Sequence, residues 1–178
     1  SSTLLTGTAG TSKTILAGHF AFSSCKHKER VLYFSFEESP DQLIRNMRSI
    51  GITLKSQVKS NLLYIHASRP SLQGLEMHLL ALHKLLEEFK PPTVIINPIS
   101  SLITIGSARE VRAMVVRLID LLKINNINAL FTALTHENTN IYNDATVDAV
   151  SSLADTWINL RNEEKNNDRV RSLLIVKA

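Results

Sequence analysis

The chain has 178 residues, of which 44% are hydrophobic, and this length and composition predict one domain with a sizeable core. Its single cysteine, Cys25, excludes an internal disulfide; without a signal peptide or an apolar run long enough to cross a bilayer, we expect a cytoplasmic location and no membrane partner. The basic residues are scattered rather than gathered in a stripe, so the formal charge of +4 does not indicate a nucleic-acid partner.

Strand and helix patterns alternate along most of the chain. An apolar strand ends at Gly7, a loop of small residues follows, and apolar residues at helical spacing predict a helix over residues 13–26. Further strands are predicted at 31–36, 62–66, 93–96 and 128–134. Further helices are predicted after the Ser39-Pro40-Asp41 cap, near 54–60, from 74 to 89 and over 108–124. This alternation predicts a three-layer α/β domain with a mainly parallel sheet.

The last part of the chain departs from the alternation. A polar segment at 135–145 precedes a small amphipathic stretch at 147–153. Two strands at 155–160 and 170–177 flank a charged turn, which predicts an antiparallel hairpin at a sheet edge. Because the chain begins directly on a strand and ends in one, we expect residues 1–178 to be a single domain excerpted from a longer protein.

The loop after the first strand has the composition of a phosphate-binding loop. Residues 7–14 are GTAGTSKT, which matches the pattern G-x-x-x-x-G-K-[ST] except for the glycine before the lysine. Small residues let backbone N–H groups close around phosphate oxygens, and the lysine and threonine suit phosphate and Mg²⁺. We therefore predict that ATP is held by Thr8, Ala9, Gly10, Thr11, Ser12, Lys13 and Thr14. The alternative is a plain turn before a lysine-bearing helix.

Two positions weaken this predicted site. Ser12 stands where the pattern has glycine, and if the position takes a positive φ, its Cβ costs on the order of 1 kcal/mol. Asn97 ends the strand VIIN, where a nucleotide-hydrolysing P-loop protein normally has an aspartate that holds the Mg²⁺ hydration shell. An amide can accept a hydrogen bond from a metal-bound water but brings no negative charge, so we expect Mg²⁺ to be held less well.

Two further groups of polar residues carry candidate chemistry. Glu37 and Glu38 follow the strand at 31–36, where ligands bind in an open α/β sheet, and a carboxylate there could polarise an attacking water or hydroxyl. The alternative is a solvated acidic start of the next helix. Thr146, Ser151 and Ser152 fall in the amphipathic stretch, and on their own they indicate only capping and small-residue packing.

The order of these segments resembles the KaiC circadian clock ATPases of the RecA-like superfamily. The resemblance runs nearly end to end, through GTAGTSKT, FSFEESPDQLIRNMRSIG, VIINPISSL, TVDAVSSLADTWINL and a last strand ending in Lys177. The F-x-[FY]-E-E-[ST] element is fairly specific to that family. The chain looks most similar to the second of the two KaiC ATPase domains, the autokinase half, which implies a RecA-like fold with ATP and Mg²⁺ as ligands.

The resemblance implies a role for each matched residue. Lys13 and Thr14 would bind phosphate and Mg²⁺, and Glu37 and Glu38 would be the catalytic carboxylates. Asn97 falls on the family's Mg²⁺-associated aspartate. The remaining matches are the phosphoacceptor pair Ser151 and Ser152, the nearby threonine of phosphotransfer at Thr146, and a lysine that reaches the neighbouring subunit's γ-phosphate at Lys177.

The resemblance also implies assembly and leaves three functions open. A homo-hexamer that contacts other clock or signalling proteins is expected. The first function is an ATPase and serine/threonine autokinase, favoured by Lys13, the carboxylate pair and the serine pair. The second is a degenerate ring-forming regulatory module without turnover, favoured by Ser12 and Asn97. The third, a RecA-like recombination or DNA-repair ATPase, is disfavoured by the mixed charge pattern.

Overall fold

The sheet of this computed structural model is formed, among the described residues 1–135, 145–165 and 168–178, by seven strands. They are β1 (Ser2–Gly7), β2 (Val31–Ser35), β3 (Leu63–Ala67), β4 (Thr93–Asn97), β5 (Asn128–Leu134), β6 (Thr156–Lys165) and β7 (Asp168–Lys177). Their order across the sheet is β3-β2-β4-β5-β1-β6-β7. All neighbours pair in parallel except β6 and β7, which pair antiparallel.

Helices cover both faces of the sheet. They are α1 (Lys13–Lys26), α2 (Pro40–Ser49), α3 (Leu54–Lys59), α4 (Leu75–Phe89), α5 (Ala108–Ile124) and α6 (Ala145–Leu153). The apolar side chains of α1, α2 and α3 join one buried cluster, and those of α4, α5 and α6 join the other. The predicted three-layer α/β fold with a C-terminal antiparallel hairpin is therefore confirmed. No helix of the described ranges combines the length and the apolar character needed to cross a membrane.

Local sequence signals set several helix boundaries. Ser39 begins α2 with a capping box, in which its hydroxyl accepts from the Gln42 N–H and the Gln42 side chain accepts from the Ser39 N–H. Ser107 and Glu110 make the same arrangement at the start of α5. Two short 3-10 segments, Pro70–Leu72 and Ile99–Thr104, were not predicted, because segments this short carry no helical hydrophobic period.

The C-terminal hairpin is longer than predicted. The charged residues expected to form its turn continue the ladder instead, with Arg161 opposite Ser172 and Glu164 opposite Arg169. Polar residues are tolerated there because β7 is an edge strand, and even its apolar residues Leu173 and Ile175 are exposed. Most of the predicted polar segment at 135–145 lies outside the described residues.

Candidate nucleotide site

The loop between β1 and α1 has the backbone that its small residues predict. A Cβ on Gly7 would lie 2.6 Å from both the Leu160 carbonyl oxygen and Thr11 Oγ1, so the end of β1 approaches β6 too closely for any side chain. Gly10 has a φ of +77°, in the left-handed region that glycine adopts without strain. Both glycines of the loop therefore have a structural reason.

Ser12 occupies the left-handed conformation that its position in the pattern demands. Its φ is 72° and its ψ is 24°, although it carries a Cβ. It stands at the N-cap of α1, yet its side chain makes no capping hydrogen bond. The first-turn N–H groups of α1 have no intrahelical partner, so they remain available to an anion, and the backbone strain at Ser12 costs about 1 kcal/mol.

Lys13 lies across the loop that precedes it. Its Nζ donates to the carbonyl oxygens of Gly7 and Thr8, each at 2.7 Å, and lies 3.4 Å from Thr11 Oγ1. Burial lowers the pKa of the Lys13 ammonium to about 8, and the Glu37 carboxylate opposes part of that shift. The lysine charge is thus held directly over the loop, where a phosphate would pair with it.

A cavity of about 380 Å³ opens beside this loop at the carboxyl end of the sheet. The functional groups that border it are those of Ser12, Lys13, Thr14, Glu37 and Asn97. Three predicted site elements, the phosphate loop, Glu37 and Asn97, therefore meet in one place, because the carboxyl ends of parallel strands share one sheet edge. A wider groove of about 530 Å³ lies near the ends of α4 and α5, and none of the predicted site residues borders it.

Glu37 and Glu38 have different surroundings. Glu37 is exposed, borders the loop cavity, and accepts a 3.0 Å hydrogen bond from Ser101 Oγ. Glu38 is half-buried, and its Oε1 accepts a 2.7 Å hydrogen bond from Asn46 of α2. Both main-chain polar groups of Glu38 bond to Ser35 Oγ, at 3.1 Å for the N–H and 2.7 Å for the carbonyl. Glu37 is thus the carboxylate presented to the phosphate loop.

Asn97 lies between Thr14 and the neighbouring strand β5 and contacts both. Its Oδ1 accepts a 2.5 Å hydrogen bond from Thr132 of β5, and its Nδ2 lies 3.5 Å from Thr14 Oγ1. The amide oxygen that can accept from a metal-bound water thus already uses one of its two lone pairs on Thr132. The side chain is 3% exposed, so its position is fixed by packing.

The residues of the site suit a nucleotide better than they suit a tightly held cation. Lys13, the loop N–H groups and the start of α1 supply the positive potential that phosphates need. Thr14 supplies a hydroxyl of the kind that ligates Mg²⁺, but Asn97 adds no charge. Among the described residues, no group of three or more His, Cys, Asp or Glu side chains could hold a metal.

The predicted phosphoacceptor serines lie at the other edge of the sheet. Ser151 and Ser152 are in the last turn of α6, and the next residues reach the start of β1 through a 2.9 Å bond from the Asp155 N–H to the Ser2 carbonyl. With about 3.3 Å per residue, the six residues of β1 separate this edge from the phosphate loop by roughly 16 Å. Thr146 lies in the first turn of α6, but its side chain is outside the described part of the chain.

Lys177 lies with these serines rather than with the loop. Its Nζ donates to the carbonyl oxygen of Ala154 at 2.7 Å and lies 3.4 Å from that of Ser151. Lys123 of α5 donates to the Leu153 carbonyl at 2.9 Å, so two lysines bind the carboxyl end of α6. The structure therefore divides the predicted site residues into two sets. One set lies at the carboxyl ends of the parallel strands and the other at their amino ends.

Sequence reasoning missed three polar residues that hold the site together. Thr132 orients Asn97, Ser101 bonds Glu37, and Asn46 bonds Glu38. Thr132 carried a usable signal, because a polar residue inside the apolar run NALFTAL needs a buried partner. Asn46 and Ser101 carried none, because they reach the carboxylates only through the packing of α2 and of the segment after β4.

Comparisons with known proteins identify the family. A protein-family model for the KaiC ATPase matches residues 1–178. The chain is 44% identical over 178 residues to the circadian clock protein KaiC2 of Synechocystis, which covers all of this chain and 31% of that relative. It is 32% identical over 174 residues to the circadian clock oscillator protein KaiC of Synechococcus elongatus, covering 98% of this chain and 33% of that relative.

A third relative gives the same result. The circadian clock protein KaiC3 of Synechocystis is 32% identical over 176 residues, which is 98% of this chain and 34% of the relative. The chain thus spans about a third of the length of these curated relatives. Its phosphate loop, its paired carboxylates and its three-layer α/β fold agree with the match, and the chain belongs to the KaiC ATPase family.

Proposed function

We propose that this domain binds ATP with Mg²⁺ and transfers the γ-phosphoryl group to serine hydroxyls of a neighbouring copy and to water. The observation that carries the proposal is the cavity of about 380 Å³ bordered by both Lys13 and Glu37. A cation for phosphate and a carboxylate for an attacking hydroxyl therefore face one space, as phosphoryl transfer requires.

The chemistry assigned to each residue follows from its position. Lys13 and the first-turn N–H groups of α1 bind and neutralise the β- and γ-phosphates. Glu37 accepts the proton of the attacking hydroxyl as its oxygen bonds to the γ-phosphorus, and the bond from phosphorus to the bridging oxygen breaks to release ADP. Mg²⁺, held by Thr14 with Asn97 nearby, would supply charge neutralisation. Glu38, tethered to α2, is the second carboxylate of the pair.

The acceptor hydroxyls belong to a second copy in this proposal. Ser151, Ser152 and Lys177 share one sheet edge, and the phosphate loop of the same copy lies roughly 16 Å away at the other. A subunit can then offer its serines and lysine to the nucleotide of the next subunit. Repeated head to tail, this contact closes a ring, and we propose a homo-hexamer. Cytoplasmic clock or signalling proteins are its proposed partners, as the names of the relatives suggest.

Nucleotide binding is tested by Lys13→Ala in the full-length protein. Removing the lysine charge held over the loop should lower ATP affinity at least tenfold, measured by calorimetry, because a hydrogen bond to a charged group is worth about 1.5–3 kcal/mol. Lys84→Ala is the matched control, since it removes an exposed lysine of α4 that does not border the cavity and should leave ATP affinity unchanged. Equal affinities of Lys13→Ala and the native protein would refute the assignment.

Phosphotransfer is tested by mass spectrometry after incubation with Mg·ATP. Phosphate is expected on Ser151 or Ser152, and both Glu37→Gln and Glu38→Gln should remove the labelling. Mixing Glu38→Gln protein with a Ser151→Ala, Ser152→Ala double variant should restore labelling on the Glu38→Gln copies, because each copy supplies what the other lacks. Labelling only at sites such as Ser39 or Ser100, or labelling that survives both glutamine substitutions, would exclude this mechanism.

The second candidate is a regulatory module that binds nucleotide without turning it over. The strained Ser12 and the uncharged Asn97 both favour it. ATP binding that Lys13→Ala abolishes, together with neither labelling nor ADP release by the native protein, would select this module over the autokinase.

A further inference from the structure

Two buried polar atoms beside the carboxylate pair have no hydrogen-bond partner among the described residues. They are the hydroxyl oxygen of Tyr33 and Oε2 of Glu38. Tyr33 lies in the middle of β2 and is 0% exposed. Buried polar atoms are nearly always paired, so an unpaired donor and an unpaired carboxylate oxygen in the same region require an explanation.

The two atoms lie on the same side of the sheet. Side chains two residues apart in a strand share a face, so Tyr33 and Ser35 point the same way. Ser35 Oγ holds both the N–H and the carbonyl of Glu38, which folds the Glu38 main chain back over this face. Burial and then the charge of Glu38 raise the pKa of the Tyr33 phenol, which places the phenol within electrostatic reach of that carboxylate.

The other polar neighbour of Tyr33 leaves its proton free. Asn97 acts to lower the pKa of the Tyr33 phenol, as a nearby amide N–H does by stabilising the charged form. The contact nevertheless lacks the geometry of a hydrogen bond. The Asn97 oxygen already accepts from Thr132. A tyrosine hydroxyl has one proton to donate besides the lone pairs that an amide N–H can reach. Oε2 of Glu38 is an unpaired acceptor near the phenol.

The Glu38 side chain can reach this arrangement without losing its present bond. The last torsion of a glutamate is broad, so a small rotation brings Oε2 toward the phenol at little strain. The same rotation moves Oε1, and the exposed Asn46 side chain can follow it and keep the bond. We propose that Tyr33 is a positioning residue that donates a hydrogen bond to Oε2 of Glu38 and so fixes the carboxylate pair for phosphoryl transfer. The inference deepens the proposed function and, for its kinetic part, rests on it.

The consequence for the reaction is indirect. With Oε1 on Asn46 and Oε2 on Tyr33, Glu38 is held at both carboxylate oxygens, and its main chain is held by Ser35. Glu37 directly precedes it, so this tether limits where the Glu37 carboxylate points in the loop cavity. Tyr33 itself is not one of the residues that line that cavity. It should therefore affect the rate of transfer and leave nucleotide affinity unchanged.

The kinetic test uses Tyr33→Phe in the full-length protein, which removes only the hydroxyl. We expect kcat for phosphotransfer or ATP hydrolysis to fall roughly tenfold, the effect of one hydrogen bond to a charged group, with the ATP Kd within about twofold of native. In a Glu38→Gln background the same change should alter the residual rate less than about twofold, because the charged acceptor is gone. Tyr64→Phe, at an exposed tyrosine of β3, is the matched control and should change neither quantity.

A spectroscopic test does not depend on turnover. In isotope-edited infrared spectra with ring-labelled tyrosine, the difference between native protein and Tyr33→Phe isolates the C–O stretch of Tyr33. That band should shift when Glu38 is replaced by Gln, whereas the band isolated with Tyr64→Phe should not. A Tyr33 band that ignores Glu38→Gln would overturn the inference, even in a protein that turns over ATP. A shifted band in a protein without turnover would leave the pairing intact and refute only the autokinase proposal.

Stability supplies a second discriminating result. If the hydroxyl is buried without a partner, Tyr33→Phe should make the protein more resistant to urea, since it removes an unsatisfied group. If Tyr33 donates to Glu38, the same substitution should lower the urea midpoint. A higher midpoint for Tyr33→Phe would therefore contradict the proposal.

Discussion

Ser12 is the residue at which the phosphate loop carries its own strain. Its left-handed φ of 72° is the conformation that glycine adopts freely and that an L side chain resists. Its hydroxyl makes no capping bond that would offset the strain. The loop thus keeps the backbone shape of a phosphate-binding loop at a cost in stability, and the serine is a modest handicap rather than a change of fold.

Replacing this serine by glycine should be favourable. Ser12→Gly is expected to raise the free energy of unfolding by about 1 kcal/mol, measured by urea denaturation, and to tighten ATP binding. Ser12→Ala keeps the Cβ and removes the hydroxyl, so this control should show no gain. If Ser12→Gly and Ser12→Ala are equally stable, strain at this position is not what limits the loop.

Asn97 is the residue at which the proposed Mg²⁺ site lacks a negative charge. Asn97→Asp should lower the Mg²⁺ concentration needed for half-maximal nucleotide binding, because a carboxylate attracts the cation and its hydration shell. Asn97→Ala, which has neither amide nor charge, is the control and should not show this decrease. The measurement is calorimetry of nucleotide binding by both variants and native protein across a series of Mg²⁺ concentrations. The same Mg²⁺ dependence in Asn97→Asp and native protein would show that position 97 plays no part in Mg²⁺ binding.

At the scale of elements, the junction between α6 and β6 is tied to the start of β1 and to α5. Asp155 Oδ2 accepts from the Ser2 N–H at 2.7 Å, and the Asp155 N–H donates to the Ser2 carbonyl at 2.9 Å. Lys123 adds an ion pair, with its Nζ 3.7 Å from Asp155 Oδ1. One aspartate therefore joins α5, α6 and β1 at the edge that carries the candidate phosphoacceptors.

This junction predicts a pH dependence of stability. The Ser2 N–H bond, followed by Lys123 and the Ser2 hydroxyl, holds the pKa of Asp155 below its ordinary value of 3.8. A carboxyl with a depressed folded-state pKa stabilises the protein fully above the unfolded value, and the contribution is lost as the pH falls through the folded value. Asp155→Asn should therefore be less stable than native protein near pH 6.

The difference should shrink as the pH drops below 3.8, the ordinary value, where the native carboxyl becomes protonated as well. Urea midpoints of the two proteins across a pH series provide the measurement. Asp120→Asn, on the exposed face of α5, is the matched control and should show a much smaller difference at every pH. A pH-independent gap between native protein and Asp155→Asn would contradict the electrostatic account.

At the scale of the whole molecule, the two edges of the sheet carry complementary halves of the proposed reaction. The phosphate loop and Glu37 are at the carboxyl edge, and Ser151, Ser152 and Lys177 are at the other. Lys177 is bound to the carboxyl end of α6 within its own subunit. To reach a neighbour's γ-phosphate it would exchange a carbonyl partner for a charged one, which is a stronger hydrogen bond.

This separation predicts assembly that responds to nucleotide. Light scattering of the full-length protein should show larger assemblies at saturating ATP than without it, because a ligand held between subunits favours the associated state by mass action. Lys13→Ala, which should bind ATP at least tenfold more weakly, is the control and should show a much weaker response at the same ATP concentration. A protein that remains monomeric with and without ATP would contradict both the ring and transfer between subunits.

Short-range patterns in the sequence predicted most of the fold. The strand runs VLYFS and TVIIN are buried along their whole length, as parallel strands covered on both faces should be. Ser39 predicted the start of α2 because a capping bond needs only residues three apart. The hairpin at the end was predicted in place but not in length, since an edge ladder lacks the buried face that would mark where it stops.

The sequence by itself determined the fold class, the phosphate loop and the carboxylate pair, because each depends on residues adjacent in the chain. Only the tertiary structure decided that Glu37 faces the cavity while Glu38 turns to Asn46, and that the Asn97 oxygen belongs to Thr132. It also decided that Lys177 lies with Ser151 and far from Lys13. These contacts join residues 8 to 35 positions apart in the chain. No local propensity encodes which partner a side chain meets once helices pack on a sheet.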